Sequence, residues 1–129
     1  MKDRIKLIED VFSNLDMSRI LGEILDAPLF GYSPIEIIWE RVGQYILPKD
    51  LVGKPAEWFV FSQDNELRFR SRNNPVQGEP VPDKKFLLPR HNATYQNPYG
   101  DPVLSRCFWP VTFKRGGMKF WVVFTEKYG

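Results

Sequence analysis

The period of apolar and polar positions changes along the chain, and each change marks an element. Over residues 3–12, Ile5, Ile8, Val11 and Phe12 recur at helical intervals, which predicts an amphipathic helix. Ser13-Asn14-Leu15-Asp16 breaks that pattern with residues suited to capping. Residues 16–30 resume a helix, with Met17, Ile20, Leu21, Ile24 and Leu25 inward and Arg19, Glu23 and Asp26 outward, ended by Pro28 and Gly31. The period then becomes two. Ile35, Ile37 and Trp39 alternate with Glu36, Ile38 and Glu40, so a strand puts the first three on one face. That face is large and apolar and needs a cover, which the preceding helix supplies. Ser33-Pro34-x-Glu36 also fits a helix start, with Ser as N-cap, Pro first and Glu closing a capping box. β-Branched residues and Trp at period two favour the strand. A helix with Ile35, Ile38, Trp39 and Val42 inward stays open as the alternative.

Beyond Val42 the elements are shorter. Gly43 turns the chain into a strand over residues 44–47 that Pro48 stops, and residues 51–55 read as a loop. Trp58-Phe59-Val60-Phe61 is apolar on both faces, the pattern of a central strand. A polar turn over residues 62–66 leads into Leu67-Arg68-Phe69-Arg70, giving a hairpin with Leu67 and Phe69 inward. Residues 73–83, rich in Asn, Pro and Gly, form a connection, and residues 85–88 a further strand before Pro89. After an irregular stretch, Asp101-Pro102 signals a helix start. Val103, Leu104, Cys107, Phe108 and Val111 share one side of that helix, Pro110 should kink it, and Gly116-Gly117 should break it. A last helix over residues 118–128 carries Phe120, Trp121, Phe124 and Tyr128 along one stripe. The fold class is α+β, with helices at both ends packed on a mostly antiparallel sheet of about four or five strands. Residues 1–129 are expected to form a single α+β domain.

Composition narrows the function classes. Of the 129 residues 43% are hydrophobic and 15% aromatic, which excludes a disordered chain and gives a bulky core. No apolar run approaches the roughly 18 residues of a membrane span, and no apolar segment follows the charged N-terminus as in a leader. The single cysteine, Cys107, excludes an internal disulfide and fits a reducing compartment. Net charge is +2, with the first 50 residues net acidic and the remainder net basic. That asymmetry is too mild for a dedicated DNA-binding domain.

Candidate chemistry is sparse. His91 and Cys107 would have to meet to form a catalytic pair, whereas Cys107 on an apolar helical face behaves as a small hydrophobe. One Cys and one His cannot make a four-ligand zinc site, and no cofactor fingerprint is present, so no catalytic, cofactor or metal residues are assigned. Glu36 and Glu40 on one strand face read as solvated carboxylates rather than an acid–base pair. Lys114-Arg115-Gly116-Gly117 before a helix could seat an anion, with a solvated helix break as the plainer reading. Arg68, Arg70, Lys84 and Lys85 form a weak candidate for nucleic-acid contact. Phe120, Trp121 and Phe124 form a candidate protein contact. The chain ends on Tyr128-Gly129, a helix C-cap signal, and its last helix has more aromatic surface than one small sheet can cover. Both features suggest a piece of a longer protein.

Four ordered stretches resemble the portal proteins of Mu-like phages and prophages. They are Leu25-Asp26-Ala27 through Glu36-Ile37-Ile38-Trp39-Glu40; Trp58-Phe59-x-Phe61 with Leu67-Arg68-Phe69; Lys85-Phe86 with Arg90-His91; and Tyr99-Gly100 through Leu104, Trp109, Phe113-Lys114, Trp121, Phe124, Glu126 and Tyr128-Gly129. The resemblance runs from about Ile20 to the end and implies an interior, wing-like part of a longer subunit. It implies a dodecameric ring at one capsid vertex, through which DNA is packaged and ejected and to which the tail connector docks. It implies no bond chemistry and no cofactor. Implied partners are other portal subunits, terminase, capsid and head–tail connector proteins, and implied locations are the virion and, during assembly, the host cytoplasm. A free-standing interaction module from a truncated prophage gene, or a small nucleic-acid binder, are the other readings.

Overall fold

The computed structural model describes residues 2–129, and its order is three helices, six strands and a long helix. Helix α1 spans Lys2–Asn14, α2 spans Met17–Ile24 and α3 spans Ala27–Phe30. Strands β1 (Ile35–Val42), β2 (Tyr45–Gly53) and β6 (Phe86–Leu87) form one antiparallel sheet in the order β2-β1-β6. Strands β3 (Phe59–Phe61), β4 (Leu67–Phe69) and β5 (Glu79–Pro80) form a second, in the order β3-β4-β5. Helix α4 spans Val103–Tyr128. The α+β class with helices at both ends is as expected. The expected single sheet is instead two sheets of three strands, because Lys54-Pro55 and a 3-10 turn over Ala56–Trp58 redirect the chain after β2.

Strand β1 organises the body, as its period of two predicts, and the helix alternative over residues 34–42 is overturned. Ile35 is 0% exposed and Ile37 8% exposed on the inner face, and Ile20, Ala27, Tyr32, Pro34, Phe59 and Val60 are buried with them. Trp39, on the same face, is 42% exposed, and its indole N–H donates to the Lys84 carbonyl at 2.9 Å. Its place at the sheet's end explains both, since β6 pairs only with Ile35 and Glu36 and leaves Trp39 uncovered on that side.

Strand β2 extends through Pro48 to Gly53 rather than stopping at Leu47. Pairing shifts between Ile38↔Asp50 and Trp39↔Pro48, which leaves Lys49 as the extra residue of a β-bulge. Proline is tolerated there because β2 is an edge strand with one partner. Residues 51–53, expected in a loop, continue this strand.

The helical expectations divide. Asp16 caps α2, accepting the Arg19 backbone N–H at 3.2 Å. The predicted 16–30 helix separates at Leu25-Asp26 into α2 and α3, since Pro28 has no N–H to continue the hydrogen-bond ladder. Leu21 and Leu25 are exposed, as are Ile5, Ile8 and Phe12 of α1; only Leu7 and Val11 of its apolar residues are half-buried. Trp58 lies in the 3-10 turn, exposed, and β3 is an edge strand while β4 is central, reversing the expected order. Part of the 73–83 connection forms β5. Asp101 does not cap α4: its carboxylate pairs with Arg106 instead. Gly116-Gly117 does not break α4, which is continuous from Val103 to Tyr128 and carries Pro110 in its interior.

Candidate protein-contact surface

The segment after α3 holds the two sheets and the root of α4 together. Gly31 N–H donates to Ala27, closing α3, and its carbonyl accepts from His91 N–H at 2.9 Å. Ser33 N–H donates to Pro89 at 3.0 Å, and Asp101 N–H to His91 at 2.7 Å, so the residues just before α4 are hydrogen-bonded to this segment. Gly31 has φ +97, and a Cβ there would stand 2.5 Å from the Tyr99 carbonyl; Gly100, with φ +81, is equally crowded by Gly31. Only glycine permits that approach.

Tyr32 anchors the second sheet. It is buried, its hydroxyl donates to the Ala56 carbonyl at 2.5 Å, and its ring meets Phe61 and Tyr99 edge-on at 5.4 and 5.7 Å. Burial, chiefly, pushes its phenol up to about 12. Phe59 meets Phe86 at 5.2 Å, joining β3 to β6.

Polar contacts fasten the outer face. Arg19 reaches Glu23 at 3.1 Å, Asp50 at 2.6 Å and the Leu51 carbonyl at 2.9 Å, while Glu23 accepts the Gly53 N–H at 2.8 Å. Glu36 lies between Lys85 at 3.1 Å and Lys54 at 3.2 Å. The Lys85 ammonium, foremost, holds its carboxyl below the usual range; burial opposes the shift and Lys54 adds to it. Glu36 is therefore a structural clamp and not part of a solvated pair with the exposed Glu40. The sequence pattern shows no signal for this, since both lysines come from distant strands or loops.

The other candidates are placed as follows. His91 Nδ1–H donates to the Asp101 carbonyl at 2.8 Å, and Cys107 is exposed on α4. Among the described residues no group of three or more His, Cys, Asp or Glu side chains is arranged to hold a metal. Lys114-Arg115 precede no helix start, because α4 runs unbroken, so the N-terminal amides an anion would need are absent there. Arg68 is half-buried on β4 with its Nε buried and unpartnered among the described residues. Arg70 is exposed, its backbone N–H donating to Trp58 at 2.8 Å. Lys84 is exposed in a turn with φ 54, and Lys85 is held by Glu36.

Helix α4 is the outlier of the fold. Its 26 residues make a rod about 39 Å long. It contacts α3 near its root, and every residue from Val103 onward is exposed. Phe120, Trp121 and Phe124 are 65%, 66% and 44% exposed. Tyr128 of the same stripe is exposed as well, and so are Phe108, Trp109 and Phe113, which the expected break had separated from it. The rings pair along the helix: Trp109 stacks on Phe113 at 5.8 Å, Phe120 on Phe124 at 6.2 Å, and Tyr128 lies 5.0 Å from Phe124. A helix apolar around its circumference is ordinarily buried. No described helix is long and apolar enough to cross a membrane. The arrangement holds an exposed aromatic surface away from a packed body.

No curated protein matches this chain. The family model described as the portal protein of Mu bacteriophage matches residues 2–129, extending over α1 and the start of α2 as well as the stretches that resemble it. The chain belongs to the family of Mu bacteriophage portal proteins, a structural family of phage particles.

Proposed function

We propose that this chain is the wing-like α+β region of a portal subunit, in a homo-oligomeric ring at a capsid vertex. The ring forms the channel for DNA packaging and ejection and a docking point for the head–tail connector. Terminase and capsid proteins are its further partners. Its work is mechanical, with no bond chemistry, and it is carried out in the virion after assembly in the host cytoplasm. Helix α4 supports this reading most directly. A 26-residue helix with aromatic rings on it, and no buried residue of its own, has a use only when another surface covers it. In this reading Phe120, Trp121 and Phe124 meet the remainder of the subunit or its neighbour.

Negative-stain electron microscopy of the protein from the complete reading frame tests the proposal. Rings with a central channel are expected, and a uniform monomer from a long reading frame would overturn it. Trp121→Asp in that protein is expected to abolish rings while leaving the body folded, because Trp121 is 66% exposed and its ring meets Phe124 of the same helix. Intact rings from the variant would count against the α4 contact.

A further inference from the structure

The aromatic face of α4 reads the same from either end. Trp109 stands seven residues before Gly116, and Phe124 seven after Gly117; Phe113 stands three before Gly116, and Phe120 three after Gly117. At 100° per residue the four rings fall within an arc of about 60°, with the two glycines at its margins. The rings form two stacked pairs, Trp109–Phe113 and Phe120–Phe124, each with an interplanar angle of 28°. Between them the helix surface is bare, and a Cβ on Gly116 or Gly117 would meet nothing within 4 Å. Lys114, Arg115 and Lys119 fall outside the arc.

We infer that a second copy of this chain is the partner for this face. Two α4 helices pack antiparallel about a two-fold axis at Gly116-Gly117, with the Trp109–Phe113 pair of one helix against the Phe120–Phe124 pair of the other. A two-fold contact requires a self-complementary patch, and the mirrored spacing supplies one. The glycines let the backbones approach where the helices cross, and the ring pairs fill the space on either side. At the exposures found, four aromatic side chains per copy bury about 1,000 Å² in total, the least that a specific interface needs. Arg106 and Lys127 come together at the ends of the pair. Arg106 is already held by Asp101, and the Lys127 ammonium lies 5.7 Å from the Tyr128 ring centre. Subunits of a closed ring are related by rotation about the ring axis and meet head to tail, so this pair is not a ring contact. It is a state of the free chain on the same face, independent of whether rings form.

The test is double electron–electron resonance on the 129-residue chain at micromolar concentration, with light scattering for mass. The native Cys107 takes one spin label, and Arg115→Cys in a Cys107→Ser background takes another. In the antiparallel pair the two labels at 107 are about 29 Å apart along the axis and those at 115 about 5 Å, so the measured distance is longer at 107 by about 10 Å. Equal distances at the two sites would mean a parallel pair and overturn the inference, as would a monomer. Gly117→Leu, which has free space around it within its own chain, is expected to weaken dimerisation at least tenfold while thermal unfolding of the body stays unchanged. Undiminished dimerisation of that variant would also overturn it. Rings of the full-length protein are scored separately by microscopy, so the portal reading can stand where this one fails.

Discussion

Replacing Ile35 by alanine tests the face assignment on which the body depends. Ile35 is completely buried, whereas Ile38, three residues on and on the opposite face, is 37% exposed. Ile→Ala removes three carbons. At about 0.8 kcal/mol per buried methylene the transfer loss is about 2.4 kcal/mol. The space left between β1 and its neighbours adds a cavity cost, bringing Ile35→Ala to about 3–4 kcal/mol. Ile38→Ala should cost about 1 kcal/mol, since much of its side chain already meets water. Urea unfolding followed by tryptophan fluorescence and circular dichroism reads the difference as a shift in midpoint at constant slope. For a chain of this length each kcal/mol corresponds to about 4 °C in Tm, so Ile35→Ala should unfold about 12–16 °C below the parent. Had residues 34–42 formed a helix, Ile35 and Ile38 would both point inward and both variants would lose stability alike. Equal losses, or a larger loss at Ile38, would therefore refute the strand register.

Two titrations give further tests. The Glu36 carboxyl lies below its ordinary 4.5 in the folded chain, so its pairing with Lys85 and Lys54 stabilises the fold above that pH and is lost as the pH falls through the lower folded value. Glu36→Gln is expected to cost about 1 kcal/mol at pH 7 and progressively less below about pH 4.5, and 1 M salt should narrow the gap; a pH-independent difference in urea midpoints would count against the clamp. Tyr32, with its phenol pushed up to about 12, should give an ionisation step near that pH in an absorbance titration, and Tyr32→Phe should remove that step. Because its folded value lies above its unfolded 10.0, the Tyr32 contribution is complete below pH 10 and is lost as the pH rises through about 12.

The legible parts of this fold were those fixed by neighbours in sequence. Period two over residues 35–40 reports β1 because one face of the strand is buried, and Asp16 caps α2 because capping is a contact three residues long. The division into two sheets was not legible, since pairing partners such as Phe86 for Glu36 lie fifty residues apart and β3 to β6 are two or three residues each. The glycine pair in α4 misled for a related reason. Glycine marks a break when its conformation leaves the helical region, and at Gly116-Gly117 it stays inside. Proline at 48 misled likewise, because an edge strand with a bulge has no ladder bond there to lose. The exposed aromatic stripe was half legible. Phe120, Trp121 and Phe124 stood out, but Trp109 and Phe113 join them only when the helix is continuous.

That continuity constrains what α4 can be. Each mid-helix glycine costs about 1 kcal/mol relative to alanine and an interior proline about 3 kcal/mol, and the valines and aromatics of α4 are only moderate helix formers. Helices of surface residues are held mainly by packing their apolar face, and α4 packs none of its own residues into the body. Among the described residues, what offsets those costs is the root at α3 and Asp101 and the ring pairs along α4 itself, each worth a few tenths of a kcal/mol. On the proposed reading, the surface that covers the rings also helps to hold the helix together through Pro110 and the glycines. On that reading, covering the rings and stabilising α4 are coupled, and a partner that buries the aromatic surface strengthens the helix that presents it.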